Sequence, residues 1–342
     1  MNYLKVSRKL PINFKKYEKK LFLHELDIKI KKPLIIKRRN IYILNSTLKK
    51  FKYYKFHYKH WKLKNPSLIW KLKNFIKDLL FFLFSKKNNY TVEVIEKAIW
   101  LTNEKSNRYF HWMLDVGQRM QLVVDNINHQ DLIEYKFLIP KKYFENEYVK
   151  SVVEIYNIKY ILLEDHKLYK IKNLIIPFHL APSGNYNPDV VKAMRSTFHN
   201  SHKQTVTKNN EKKIWISRQN SRIRKIKNYH EVEKILKSNG FNIVDFDKKN
   251  FLEQLKIVTN ADILGGLHGG GLANMLFLRQ GKKIIEIRGI NDKLNNCYFS
   301  LASALNLEYY YFLASVKDDD FYHNDYLIDE EKFSSFFNTY FS

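Results

Sequence analysis

ADILGGLHGGGLANMLFLRQGKKIIEIRG, residues 261–289, decides how the rest of the chain is read. A short apolar run, 261–264, breaks into Gly265, Gly266, His268, Gly269, Gly270 and Gly271. An apolar-periodic segment, 272–278, follows, then a turn at Gly281 and a second apolar run, 284–287. The order is strand, glycine loop, helix, turn, strand. A glycine loop entering a helix presents backbone N–H groups at the positive end of the helix dipole, a place that favours phosphate. The spacing GLHGGG lacks the G-x-G-x-x-G of a dinucleotide fingerprint, and no Gly-Lys-Ser/Thr of a P-loop follows. Hydride transfer and ATP hydrolysis therefore lose their usual warrant. Such turns also serve close backbone packing. His268 is an odd choice for a core residue in a solvent-facing turn, and well placed as a donor to a phosphate or leaving group.

Outward from this stretch, short apolar runs alternate with helical patterns from about residue 91. Strands are expected at 92–101, 136–139, 160–163 and 168–176, and helices at 109–124, 142–156 and 188–198. Asn187 reads as the N-cap of the last of these, with Pro188 at its first position. Residues 202–212 are polar and aperiodic, and are expected to link two series. The second series has strands at 214–216, 241–246, 261–264, 284–287 and 307–313, with helices at 229–238, 251–259, 293–305 and 329–337. Alternation of this kind argues for parallel sheets. Two series joined by a polar link give an α/β chain with two Rossmann-like domains, 91–201 and 213–342, behind an N-terminal segment, 1–90. Ligands bind such sheets at the carboxyl ends of the strands, so a ligand bridging the two would lie in the cleft between them.

The chain has 342 residues, a hydrophobic fraction of 45% that suffices for real cores, and a net charge of +26. Residues 1–90 hold 25 Lys and Arg against 4 Asp and Glu, so nearly all of the excess sits there. Composition bias explains this; so does attraction to anionic lipid or another polyanion. Residues 51–61 interleave Lys and His with Phe, Tyr and Trp, a pattern that stacks nucleic-acid bases or marks a membrane interface. Residues 68–84 read as a helix whose uninterrupted apolar part is too short to span a bilayer; it packs on a core or lies in an interface plane. The single cysteine, Cys297, rules out an internal disulfide, and no apolar leader followed by small residues is visible, so a cytoplasmic setting is expected.

Arg218 follows the strand at 214–216, with Arg222 and Arg224 soon after. If that strand neighbours the glycine strand, both loops leave one sheet edge and the arginines can neutralise phosphates; otherwise this is a solvated basic loop. Glu286, between Ile285 and Ile287, is suited to accept ribose hydroxyls or is a strand-edge charge. His111 and Asp115 are four apart, on one helix face: either a pair able to deprotonate a sugar hydroxyl, or a capping or surface pair.

In order along the chain, YFHWMLDVGQRM, LEDHKLYKIKNLIIP, PSGNYNPDVV, WISRQNSRIRK and ADILGGLHGGGLANMLFLRQGKKIIEI resemble glycosyltransferase family 61 over about 91–315, most specifically in HGGGLANMLF. The family usually has a small residue such as Ala where Gly270 stands, and often Thr where Ala273 stands. The resemblance implies the GT-B architecture, two Rossmann-like domains facing across a cleft, and transfer of a sugar with inversion from a nucleotide-sugar donor to an acceptor hydroxyl. It makes 91–201 the acceptor domain and 213–342 the donor domain. Arg218, Arg222 and the loop His268, Gly269, Gly270, Gly271 would hold the donor diphosphate. Asn274 would orient the loop, Glu286 would lie near the nucleoside, and Asp115 would act as base with His111 as fallback. The first 90 residues carry no resemblance.

A departing nucleoside diphosphate needs its growing charge stabilised, which helix N–H groups and arginine can do without a metal. No Asp-x-Asp follows a strand, and Asp318-Asp319-Asp320 lies in an acidic tail, so metal-independent catalysis without a cofactor is expected. The expected acceptor is a glycan or lipid-linked glycan. The setting that fits is bacterial capsule or lipopolysaccharide synthesis, with the basic segment peripheral on the inner face of the plasma membrane. The alternative is a polyanion or nucleic-acid binding protein using residues 1–90, which leaves the glycine loop unexplained; nucleic acid is not the expected partner.

Overall fold

The computed structural model describes residues 3–31, 35–44, 92–103, 105–165, 167–201 and 212–341. The aromatic run 51–61, the helix candidate 68–84 and all but Lys212 of the expected linker lie outside them.

Strands β1 (Tyr3–Ser7) and β2 (Asp27–Lys31) form a two-stranded antiparallel sheet. The next strands are β3 (Ile35–Leu44), β4 (Val92–Trp100), β5 (Lys136–Pro140), β6 (Tyr160–Leu163) and β7 (Leu168–Pro177), which build a sheet in the order β3-β7-β4-β5-β6. Its pairs are parallel except β3 on β7. The second large sheet holds β8 (Lys213–Ile216), β9 (Asn242–Val244), β10 (Ile263–Leu267), β11 (Lys283–Gly289), β12 (Glu308–Val316) and β13 (Tyr326–Leu327), in the order β13-β12-β11-β10-β8-β9. Only β13 is antiparallel. The expected α/β alternation with parallel sheets is thus present. From β8 the chain steps to β9 on one side, then returns to β10 on the other, which puts a topological switch point between β8 and β10. Their register ends together, Gly266 opposite Ile216, so the loops after both leave the sheet side by side.

Three local readings change. The glycine strand does not stop at its first glycine: Gly265 and Gly266 lie inside β10. A Cβ on Gly265 would come within 2.5 Å of the Trp215 ring, and one on Gly266 within 3.3 Å of Ile216. These two glycines serve close packing between neighbouring strands. The segment after the loop, Gly270–Phe277, is a run of 3₁₀ turns with Leu272 to Phe277 buried, not a regular α-helix. The helix expected at 109–124 opens as a π-helical turn, His111–Val116, before the α-helix Gly117–Asn126.

The two halves share one apolar core, in which Ile99, Leu114 and Val152 join Ile214, Leu264, Met275 and Phe299. Helix Pro188–Ser201 is the joint. Its Phe198 ring meets Phe251 and Phe277, and Gly117 leaves room for its Met194, whose Cε a Cβ would approach to 2.6 Å. Its Arg195 Nη1 donates to the carbonyls of Leu278, at 3.3 Å, and Leu305, at 3.0 Å, which close two helical segments of the second half.

The N-terminal segment, expected as an appendage, enters both halves. β3 is an edge of the first sheet. The Ile12 amide donates to Tyr309 O at 2.9 Å, and the Asn13 side chain pairs with the Tyr311 backbone in both directions, at 2.7 and 3.2 Å. Phe22 is fully buried between Phe299 and Tyr311, with the Arg288 guanidinium 5.1 Å above its ring.

Candidate active site

The switch point collects the glycine loop after β10 and the basic loop after β8. The His268 amide donates to Ile287 O at 2.9 Å, which fastens the start of the loop to β11. The His268 ring is buried, not solvent-facing, and its Nδ1 bonds to Oε1 of Glu286. Oε2 of Glu286 accepts from the Tyr309 hydroxyl at 2.6 Å, and the residue has no exposed surface. Both carboxylate oxygens are engaged, so Glu286 holds His268; it neither presents itself to a ribose nor stands as a strand-edge charge, the two readings that the sequence left open. Asn274 Nδ2 donates to Gly271 O at 3.0 Å, and its Oδ1 accepts from the Tyr109 hydroxyl at 2.5 Å.

Arg218 packs directly on Gly269, where any Cβ would overlap its guanidinium. Its Nε and Nη2 donate to Arg224 O and Ile223 O, each at 3.3 Å, and Arg224 Nη1 donates to His268 O at 3.4 Å. Burial lowers the Arg218 pKa from the usual arginine value, and the neighbouring Arg224 charge pushes the same way. Among the described residues, neither guanidinium has a carboxylate within ion-pair distance. Two adjacent guanidiniums with no carboxylate in ion-pair distance have the chemistry to take an anion. Gly270 faces open space, with nothing within 4 Å of the position its Cβ would take. Arg222 is exposed. Among the described residues, no three His, Cys, Asp or Glu side chains gather as a metal would require.

The first half supplies a second pair. His111 Nδ1 lies 2.7 Å from Asp115 Oδ2, which also accepts from Ser183 Oγ at 2.7 Å. The Asp115 side chain is 5% exposed and that of His111 13%, so the carboxylate stands behind the imidazole. A carboxylate only accepts, so the pairing places a proton on Nδ1, and in the neutral imidazole it is Nε2 that carries the lone pair. Ser183 comes from the loop before helix Pro188–Ser201, whose Gly184 has φ +88° and leaves 3.0 Å between a built Cβ and Cys297 Cβ. That loop therefore needs glycine both for its left-handed turn and for its approach to the second half.

The pair and the loop meet through aromatic rings. Phe110 is edge-on to His111 at 5.1 Å and to Tyr298 at 5.8 Å, and Tyr298 is edge-on to His268 at 5.0 Å. The Tyr298 hydroxyl donates to Gly269 O at 2.6 Å. The structure thus gathers His111, Asp115, Arg218, His268, Gly269, Gly270, Gly271, Asn274 and Glu286 at one junction. Sequence reasoning passed over Ser183 and Tyr298. For Ser183 a signal existed, its loop PSGN between a strand and a capped helix; for Tyr298 none did.

The family model "Glycosyltransferase 61" matches residues 109–285, every proposed site residue but Glu286, which is next in line. The chain is similar to EGF domain-specific O-linked N-acetylglucosamine transferases of animals. It is 32% identical to that of Bos taurus over 136 residues, 37% of this chain and 25% of the relative. Against that of Gallus gallus it is 29% identical over 174 residues, covering 45% and 32%. Against that of Drosophila melanogaster it is 39% identical over 66 residues, covering 19% and 12%. The chain spans about a quarter of the length of the first of these relatives.

Proposed function

Since the chain belongs to the glycosyltransferase 61 family, we propose that it transfers a sugar from a nucleotide-sugar to an acceptor hydroxyl with inversion, the second sheet holding the donor and the first the acceptor in a GT-B arrangement. The observation that carries this is the pair of guanidiniums, Arg218 and Arg224, at the switch point beside the glycine loop, with no carboxylate in ion-pair distance among the described residues. The donor diphosphate rests on the loop against Arg218. As the bond from the anomeric carbon to the phosphate oxygen breaks, its electron pair passes to the diphosphate, and Arg218 and the loop N–H groups meet the growing charge. The acceptor oxygen attacks the opposite face of the carbon and gives its proton to His111 Nε2, while Asp115 steadies the imidazolium that forms. His111 is thus the base and Asp115 its support, the reverse of the order suggested by the resemblance. Catalysis proceeds without a metal: full activity in excess EDTA supports this, and loss that Mn²⁺ restores overturns it.

The names of the relatives make N-acetylglucosamine the first donor sugar to try. The acceptor is a glycan or lipid-linked glycan; transfer to an EGF domain instead would replace this part of the proposal. The deciding experiment is a thermal-shift screen against UDP-, GDP-, CMP- and dTDP-sugars with the parent and Arg218→Ala. A bound donor at a hundredfold its Kd adds about 2.7 kcal/mol. No response to any donor, or an equal response in Arg218→Ala, overturns the donor site.

A second reading concerns the N-terminal segment. Leu10, Ile12, Tyr17 and Leu23 are exposed, and Lys9, Lys15, Lys16, Lys19 and Lys20 stand exposed among them. Apolar side chains interspersed with cations suit the surface of an anionic bilayer, where a lipid-linked acceptor would be found. Among the described residues, no helix is long and apolar enough to cross a membrane. Co-sedimentation with phosphatidylglycerol vesicles, lost at high salt and in Lys15→Glu/Lys19→Glu, tests this reading.

A further inference from the structure

Three consecutive side chains of the first half, Tyr109, Phe110 and His111, each face a different part of the junction. Tyr109 donates across to Asn274, which in turn holds the Gly271 carbonyl. Phe110 places its ring between His111 and Tyr298. His111 makes the Asp115 pair. From the second half, Tyr298 reaches back: its hydroxyl holds the Gly269 carbonyl and its ring stands against both His268 and Phe110. Gly269 and Gly271 bracket Gly270, so Tyr298 directly, and Tyr109 through Asn274, fix the two carbonyls on either side of the open glycine. Tyr298 is fully buried, and burial pushes its ionisation well above the usual phenol range, so it stays a neutral donor.

We infer that Tyr298 and Tyr109 are positioning residues that lock the diphosphate loop to the His111 side of the junction, so that donor and base are set at one spacing. The inference rests on the donor-site reading above. Neither tyrosine touches the donor in this scheme; Tyr298 acts through the Gly269 carbonyl, and Tyr109 through the Asn274 side chain that holds the Gly271 carbonyl. A carbonyl turned inward keeps the neighbouring N–H groups turned toward the anion, which is where the hydroxyl of Tyr298 acts. The ring of Phe110 transmits the position of that loop to His111 by contact alone.

The test uses the full chain with Tyr298→Phe, Tyr109→Phe and Phe110→Leu, each of which keeps an apolar side chain in place. Probes are inorganic pyrophosphate and the diphosphates UDP, GDP, CDP and dTDP, titrated by calorimetry, with melting temperatures measured alongside. Loss of one hydrogen bond is expected to raise the Kd of the pyrophosphate and of the preferred diphosphate roughly two- to tenfold. Tyr109→Phe is expected to do so although Tyr109 belongs to the other half. With donor concentration varied, Phe110→Leu is expected to lower kcat and leave the donor KM unchanged. A fall in melting temperature with parental Kd and kcat in all three variants would mean a purely structural role and overturn the inference. Arg218→Ala separates the two levels. If it binds the probes like the parent, the donor-site reading fails; if it loses them while Tyr298→Phe and Tyr109→Phe keep them, only the positioning role fails.

Discussion

Gly269 and Gly270 are neighbours under opposite constraints. A methyl group at 269 overlaps the Arg218 guanidinium, whereas one at 270 meets nothing within 4 Å. Gly269→Ala is therefore expected to displace Arg218 and weaken nucleoside diphosphate binding by tenfold or more, and Gly270→Ala to leave the melting temperature within about 1–2 °C; calorimetry and a thermal melt check both. The first paired result fails if the two variants bind alike. At the His111–Asp115 pair, His111→Ala is expected to lower kcat by about 10²–10⁴, the range of general-base effects. Asp115→Asn should lower it less and spare the donor KM. Parental transfer by His111→Ala would return the role of base to Asp115. The residues of this site that were legible from sequence announced themselves by spacing: His111 four before Asp115, Arg218 just past a strand, His268 amid glycines. The position of Glu286 was legible and its role was not. Both faces of β11 are buried, so no alternation told which way the carboxylate points. Tyr298 was hidden for another reason: its partner is a backbone carbonyl 29 residues away, and no side-chain pattern records that.

At the scale of elements, helices with marked ends were read closely. Asn187 accepts from the Asp189 and Val190 amides before helix Pro188–Ser201, as its place ahead of Pro188 implied. Helix Tyr229–Ser238 ends at Asn239 and Gly240, whose φ is +76°, and its bounds agree with the sequence reading. The loop elements were misread because glycine has two uses: inside β10 it admits Trp215 and Ile216, and only from Gly269 onward does it shape the loop. Helix Pro188–Ser201 carries its own prediction. His199 Nε2 donates to Phe277 O at 2.8 Å, which closes the 3₁₀ run after the glycine loop. Burial, with Arg195 and Arg279 nearby, lowers its pKa from 6.5. The folded form thus resists a proton that the unfolded chain accepts, so this contribution is present above pH 6.5 and is lost as pH falls through the lowered value. His199→Gln, which keeps an N–H for the carbonyl, is expected to flatten the acid decline of the urea midpoint below pH 6.5. An unchanged decline refutes the assignment.

For the whole molecule, the alternation of strands and helices made two parallel sheets legible, but the polar link between the series suggested more independence than the packing allows. Contacts between distant segments are not written in local periodicity, so neither the shared core nor the place of residues 3–31 and 35–44 could be read. Phe22 illustrates the energetic consequence. Truncation of a buried phenylalanine costs about 3–5 kcal/mol, so Phe22→Ala should lower the urea midpoint strongly; a loss of unfolding free energy below about 1 kcal/mol would deny its place in the core. The same ring supports Arg288, two residues after Glu286, so the variant should also weaken diphosphate binding. The attachment of residues 12–22 to β12 has a consequence in time. Asn13 and Tyr311 are 298 residues apart, which a ribosome working at about 5–20 residues per second needs roughly 15–60 s to cover. Throughout that interval Phe22 has no cover from Phe299 or Tyr311. A chain ended by a stop codon ahead of residue 299 would carry the first sheet with Phe22 uncovered by either ring.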